Sequence, residues 1–419
     1  MRIMKSLVTV AAAAAAATAL TVAPAAMADT PISHGHYLLP HSWDVVGTGS
    51  ETTANVVDAL AAAYDASQKA HHKADTPSNP YIYSWDGVPA NNPLNLTQKL
   101  QVKAGCPKNQ VRPDGSTAGV LSLAGEGSVT YKYKGKKFKS PCVDFARSSS
   151  AYNATKDKAV NGPGGIQFVV LARDAVSYAT TASSNAPAEM SNADLTAIFN
   201  CAIPAKNGDP ANSWGALLGN KVKSPKSLVD PILPQAGSGT LSFWESALKI
   251  ASKQANGEPA CSTEANAAAS KLPEENEGIS PVFLLHGKPN PNAIYPFSIG
   301  AFVDEVYHSP ACGKKASKTQ NQFGCNERGV LTVRSINGTT PTVRVGKGKT
   351  AHVETNPNFA PAFRRTLFDV VRWQTNKQQD IPTYLQRFFS SKGFACSKAA
   401  FAIISDYGFE PSALCGRGE

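Results

Sequence analysis

The sequence is short of charge and of the signatures that mark specialised architectures. Only 17% of its 419 residues are charged while 42% are hydrophobic, so the chain can bury a substantial core and is not of the disordered class. Gly 32 and Pro 29 are too few for a collagen-like chain, and no fixed-period repeat marks a solenoid. Past the N-terminus no apolar run reaches the roughly 18 residues that cross a bilayer, so membrane insertion is not expected. No cysteine sits in a Cys-x-x-Cys pair, which removes the usual zinc and dithiol signatures. Gly237-Ser238-Gly239 is flanked by Ala236 and Thr240 and is no nucleophile elbow. Gly348-Lys349-Thr350 has Val343 where a nucleotide loop opens on glycine. His34, His36 and His41, and the pair His71-His72, come without an acidic or thiolate pattern, so neither a metal nor a cofactor is expected.

What is present begins with an export signal. Arg2 and Lys5 precede an apolar run from Leu7 to about Ala26, and Ala26-Met27-Ala28 is a small-residue cleavage pattern. Residues 1–28 are therefore expected to be removed, leaving a secreted or periplasmic protein without a lipid-modified cysteine. Cys106, Cys142, Cys201, Cys261, Cys312, Cys325, Cys396 and Cys415 fit an oxidising compartment, where disulfides are expected. We expect nearest neighbours in sequence to pair. The net charge of +10 is scattered. Its one dense run, Lys132 to Lys139, alternates with Tyr131, Tyr133 and Phe138 as an exposed hairpin strand would. Nucleic-acid binding is not expected, and a monomer is.

Short β-branched runs alternate with helical patterns, which predicts an α/β fold. Trp43 to Gly47 reads as a strand, and Val56, Val57, Leu60 and Tyr64 recur at helical spacing after Thr48-Gly49-Ser50-Glu51-Thr52-Thr53. The same order of strand, small hydroxylated turn and helix returns around Asp114-Gly115-Ser116-Thr117 and around Ala236-Gly237-Ser238-Gly239-Thr240. A fourth polar turn, Ala146-Arg147-Ser148-Ser149, follows Cys142-Val143-Asp144-Phe145. Free N–H groups at a helix start, with glycines and hydroxyls beside them, suit a bound oxyanion. Each turn alone could equally be an ordinary helix cap.

The order of these turns, with Met190 to Asn200 and Trp214 between the second pair, resembles the phosphate-binding proteins of bacterial ABC importers. Gly237-Ser238-Gly239-Thr240 with Phe243 is similar to that family's phosphate turn, and Val143-Asp144-Phe145-Ala146 to its first-lobe strand end. Ala293-Ile294-Tyr295 stands where the family has an Ala-Ile-Gly-Tyr strand. The resemblance covers about residues 42 to 305. It implies a type II periplasmic-binding-protein-like fold, two α/β lobes joined by hinge strands. Lobe one would comprise residues 29–164 and 300–419 and lobe two residues 165–299, with Gly165 to Tyr178 crossing out and Ile294 to Val303 returning.

On that frame the expected oxyanion ligands are Ser50, Thr52, Thr53, Ser116, Arg147, Ser148 and Ser149 from lobe one and Ser238, Gly239 and Thr240 from lobe two. Glu51 is expected to face solvent. The family's proton-accepting aspartate is replaced by Ser149, its arginine by Pro234 and its orienting aspartate by Ala236. Arg147 is then the expected replacement cation, ahead of Arg112 and Arg173. The reading that results is a solute-binding protein for phosphate or a related oxyanion, without catalysis and with an ABC permease as a candidate partner. A surface scaffold without an anion site and a secreted phosphoester hydrolase are the alternatives.

Overall fold

In the computed structural model the described residues are 32–33, 36–37, 39–88, 99–125, 127–152, 165–219, 222–251, 259–262, 272–308, 326–348, 351–372 and 381–418. The expected signal segment and the Cys312–Cys325 pairing lie outside them. The main strands and helices run β1 Val45–Gly49, α1 Ala54–Ala70, β2 Ile82–Ser84, α2 Gly115–Gly125, β3 Ser128–Tyr133, β4 Lys136–Pro141, β5 Phe145–Ser148 and β6 Ile166–Thr181. They continue with α3 Asn192–Phe199, β7 Asp230–Pro231, α4 Gly239–Leu248, β8 Ala293–Ser298, α5 Ile299–Tyr307, β9 Leu331–Val333, β10 Arg364–Arg372, α6 Thr383–Phe389, α7 Lys398–Asp406 and β11 Glu410–Pro411.

One mixed sheet runs through the molecule in the order β7-β8-β6-β10-β5-β1-β2, with β9 and β11 also paired to β6. The apolar run at Ile166 predicts a buried strand, and β6 extends well beyond it. Residues 166–175 pair antiparallel with β10, and residues 176–180 pair antiparallel with β8. A single strand thus belongs to two half-sheets, which is how the fold makes two lobes from one sheet.

Each half carries a core on both faces, as the alternation of side chains along a strand requires. In the first half, Val169 and Leu171 pack with Val57, Leu60 and Tyr64 of α1 and with Phe388 and Phe389 of α6. Phe168 and Val170 point the other way, against Val46, Val120, Leu123 and Phe368. In the second half, Val176 and Tyr178 pack with Leu195, Phe199, Trp214 and Trp244, while Ala179 joins Ile232, Phe283, Tyr295 and Phe297. Leu331, Ile336, Phe359 and Phe363, from the C-terminal third, also pack into this second half because β9 pairs with the far end of β6.

The basic run forms the expected hairpin, β3 against β4, turning at Lys134 and Gly135, which both have positive φ. The strand read at Cys142–Phe145 is displaced. It runs from Phe145 to Ser148, which puts Ala146, Arg147 and Ser148 inside the sheet and starts the polar turn at Ser149. Cys106–Cys142, Cys201–Cys261 and Cys396–Cys415 are disulfides, as sequential pairing predicts. The described residues contain no helix long and apolar enough to cross a membrane. Denatured, unreduced protein should therefore expose at most two reactive thiols to a thiol reagent; a higher count would contradict the three bridges.

Candidate functional site

The turns before α2 and α4 and the one after β1 meet where the two half-sheets join. Ser50 caps the short 3-10 turn Glu51–Thr53, its Oγ accepting from Thr52 N at 3.3 Å. Ser116 lies in the first turn of α2 and accepts from Ser149 N at 3.0 Å. From the other lobe, Gly239 and Thr240 open α4. A Cβ on Gly239 would collide with Ser116 Oγ and Ser149 Oγ, so only glycine lets α4 approach this closely. Beside it Thr117 N donates to Gly237 O at 3.1 Å across the cleft, with Gly237 at φ 96°.

These donors enclose a carboxylate of the chain itself, Glu275. Its Oε1 accepts from Ser149 Oγ at 2.8 Å, Thr240 N at 2.7 Å and Thr240 Oγ1 at 2.6 Å. Its Oε2 accepts from Ser50 Oγ at 2.8 Å. Glu275 is fully buried. Burial alone would raise its carboxyl, yet the charge of Arg365 and the hydrogen bonds from Thr240 and Ser50 outweigh it and hold the group below the ordinary glutamate range.

Arg365 is the cation of the site. It sits at the start of β10 directly across from Asp174 of β6. Its Nε and Nη2 donate to Asp174 Oδ2 at 3.0 and 2.8 Å. Nη1 donates to Thr240 Oγ1 at 3.0 Å and Ser149 O at 3.2 Å, and Nη2 to Thr52 Oγ1 at 3.4 Å. The Thr240 hydroxyl accepts from the guanidinium and donates to Glu275, passing positive polarity along the chain of bonds. Asp174 also accepts from Ser298 Oγ at 2.8 Å and Gly300 N at 3.0 Å, fixing the start of α5 to the same pair.

Of the residues expected from sequence, Ser50, Thr52, Ser116, Ser149, Gly239 and Thr240 come together. The others have different work. Arg147 is buried within β5, where it donates to Ser50 O, Gly49 O and Ser84 Oγ. Its position in the sheet, rather than in a turn, takes it out of the cradle. Asp144 is held by buried Lys103 at 2.7 Å. Arg112 donates to Asp86 O, and Arg173 is half-exposed beside Glu410. Ser148 Oγ donates to Ser150 O, Ser238 Oγ caps α4 by accepting from Leu241 N, and Thr53 Oγ1 finds no partner among the described residues. Glu51 does not face solvent: it accepts from Gly87 N and lies 4.0 Å from Arg147.

A cavity of about 330 Å³ abuts the cradle through shared walls at Ser116, Ser149 and Arg365, and is otherwise bounded by a mixture of hydroxylated residues, Ser148 and Ser242 among them, and aromatic rings such as Tyr152, Phe168 and Phe243. On the opposite side the segment that carries Glu275 meets a group of buried acids. Burial and the neighbouring Asp114 push Glu274 up to about 11, so that it keeps its proton and hydrogen-bonds the Asp114 side chain. Burial likewise pushes Glu51 up to about 8 and Glu277 up to about 7. Elsewhere His41 Nδ1 lies 2.7 Å from Asp75 and 3.4 Å from Asp44, a histidine–carboxylate group that could hold a metal ion.

Carboxyls raised in the folded state bind a proton that the unfolded chain has already released. Their stabilisation is complete below the ordinary carboxyl range and is lost as pH climbs through the raised values. The melting temperature should therefore be higher at about pH 5 than at about pH 8.5, and Glu51→Gln should narrow that gap in a thermal melt. An unchanged gap would show that Glu51 is ionised throughout.

A model of the PBP superfamily domain matches residues 11–294. No curated protein matches the chain. Among solved structures, an ABC-type phosphate transport receptor from Vibrio cholerae is similar at 15% identity, covering 88% of this chain and 100% of that one, with a TM-score of 0.43. A putative phosphate ABC transporter substrate-binding protein with bound phosphate, from Clostridium perfringens, is 13% identical over 88% of this chain and 99% of that one, with a TM-score of 0.45. A phosphate-binding protein from Stenotrophomonas maltophilia is 14% identical over 89% and 92%, at 0.44. The family match spans well over half of the chain and includes the turns that build the cradle: the chain belongs to the PBP superfamily.

Proposed function

We propose that this chain is an exported solute-binding protein that captures phosphate or a related small oxyanion between its two lobes, without catalysis. One observation carries the reading: donors from both lobes already close around an oxyanion, the carboxylate of Glu275. Hydroxyls, a helix-start N–H and a guanidinium with its own carboxylate partner are the groups a buried tetrahedral anion requires. Arg365 and Asp174 take up the roles that the resemblance assigns to the arginine and aspartate replaced by Pro234 and Ala236. Ser149 can donate as well as accept, so the cradle does not demand a protonated anion and sulfate should compete with phosphate.

The scaffold reading draws support from the same carboxylate, since a cradle filled from within needs no solute. Titration calorimetry on Glu275→Ala, whose cradle is empty of carboxylate, separates the two. Phosphate should bind that variant. Adding Thr240→Val removes one charge-assisted hydrogen bond, worth roughly 1.5–3 kcal/mol, and should weaken binding about tenfold or more. No heat with either phosphate or sulfate would leave the scaffold.

A further inference from the structure

We propose that Glu275 is a built-in competitor: the chain lends its own carboxylate to the oxyanion cradle, which holds the lobes together without solute, and a solute binds only by displacing it. The proposal rests on the solute-binding reading and adds its regulation.

Three features of the segment at 272–278 lead to it. Its anchors belong to lobe two: Gln235 N donates to Pro273 O at 2.9 Å, Tyr295 Oη to Glu274 O at 2.6 Å, and Ser298 N to Asn276 Oδ1 at 2.8 Å. Its reach is into lobe one, through Glu275 to Ser50 and Ser149 and through Asn276 Nδ2 to Thr52 Oγ1 at 3.0 Å. The segment therefore bridges the cleft in the way a bound ligand would, with one end covalently secured. Finally, Glu275 engages both the Thr240 N–H and the Thr240 hydroxyl, the same donors that a solute from the cleft would need. Two oxyanions cannot share these donors beside a single guanidinium without strong like-charge repulsion.

Withdrawal of Glu275 breaks its bonds to the Thr240 N–H and hydroxyl as well as those to Ser50 and Ser149, while the lobe-two anchors at Pro273, Glu274 and Asn276 remain. The carboxylate is then a tethered ligand whose effective concentration is set by the chain rather than by the medium. Apparent affinity for a free anion is the intrinsic affinity multiplied by the fraction of time the cradle is open.

The test compares the full mature chain with Glu275→Ala and Glu275→Gln, using inorganic phosphate and sulfate in titration calorimetry and small-angle X-ray scattering. Glu275→Ala should bind phosphate about tenfold or more tighter than the unaltered chain. Glu275→Gln keeps the shape without the charge and should lie between them. The ligand-free Glu275→Ala protein should be more extended than the unaltered chain and should contract on adding phosphate. Equal affinity in all three proteins would overturn the proposal and leave the solute-binding reading standing. Weaker binding by both variants would also overturn it, because Glu275 would then be a contact to the solute, accepting its proton. If phosphate and sulfate bind none of the three, the solute-binding reading falls, and the proposal with it.

Discussion

The ion pair between Arg365 and Asp174 is the constraint on which the rest of the molecule is arranged. The two residues face each other across β10 and β6, at the step where β6 leaves one half-sheet for the other. A buried guanidinium is tolerable only when its donors are met, and here Asp174, Thr240, Thr52 and Ser149 O meet them. Those partners come from the hinge strand, from the turn after β1, from the end of β5 and from the start of α4. A single charge therefore draws the middle of β6 and the ends of three other elements to one point. The cradle forms around that point because the Thr240 hydroxyl, accepting from Arg365, leaves its proton for an anion.

Much of this was legible in the sequence, because the turns announce themselves. Small hydroxylated residues and glycine between a β-branched run and a helical pattern have a local cause, and Ser50, Thr52, Ser116, Gly239 and Thr240 belong to such turns, while Ser149 belongs to the polar turn that follows a strand. The charges were not legible in the same way. Arg365 and Asp174 lie inside apolar strands, where only an interrupted hydrophobic run signals them, and their partnership depends on a strand register fixed by the whole sheet. Glu275 stands in a stretch with little secondary structure, among other acids, with no local pattern to set it apart. Arg147 misled for the converse reason. It stands next to two serines, but a strand that begins three residues later than its apolar pattern suggests turns the arginine toward the backbone of Gly49 and Ser50.

The acids on the back of the Glu275 segment show the same logic with the opposite outcome. Glu275 meets a cation and several donors and stays ionised, whereas Glu274, one residue away, meets Asp114 and keeps its proton. Adjacent glutamates in one buried strap thus differ in charge state because one faces Arg365 and the other faces carboxylates. Environment, not residue type, decides which side of the strap is electrically active.

The disulfides have a mechanical consequence. Cys106–Cys142 and Cys396–Cys415 each close a loop within the first lobe, and Cys201–Cys261 closes one within the second. None of these three staples crosses the cleft. Each bridge therefore braces one half-sheet on its own, and the two halves are joined through the continuous strand β6, which pairs with β10 over residues 166–175 and with β8 over residues 176–180. The opening that the displacement of Glu275 calls for would leave all three of these bonds intact.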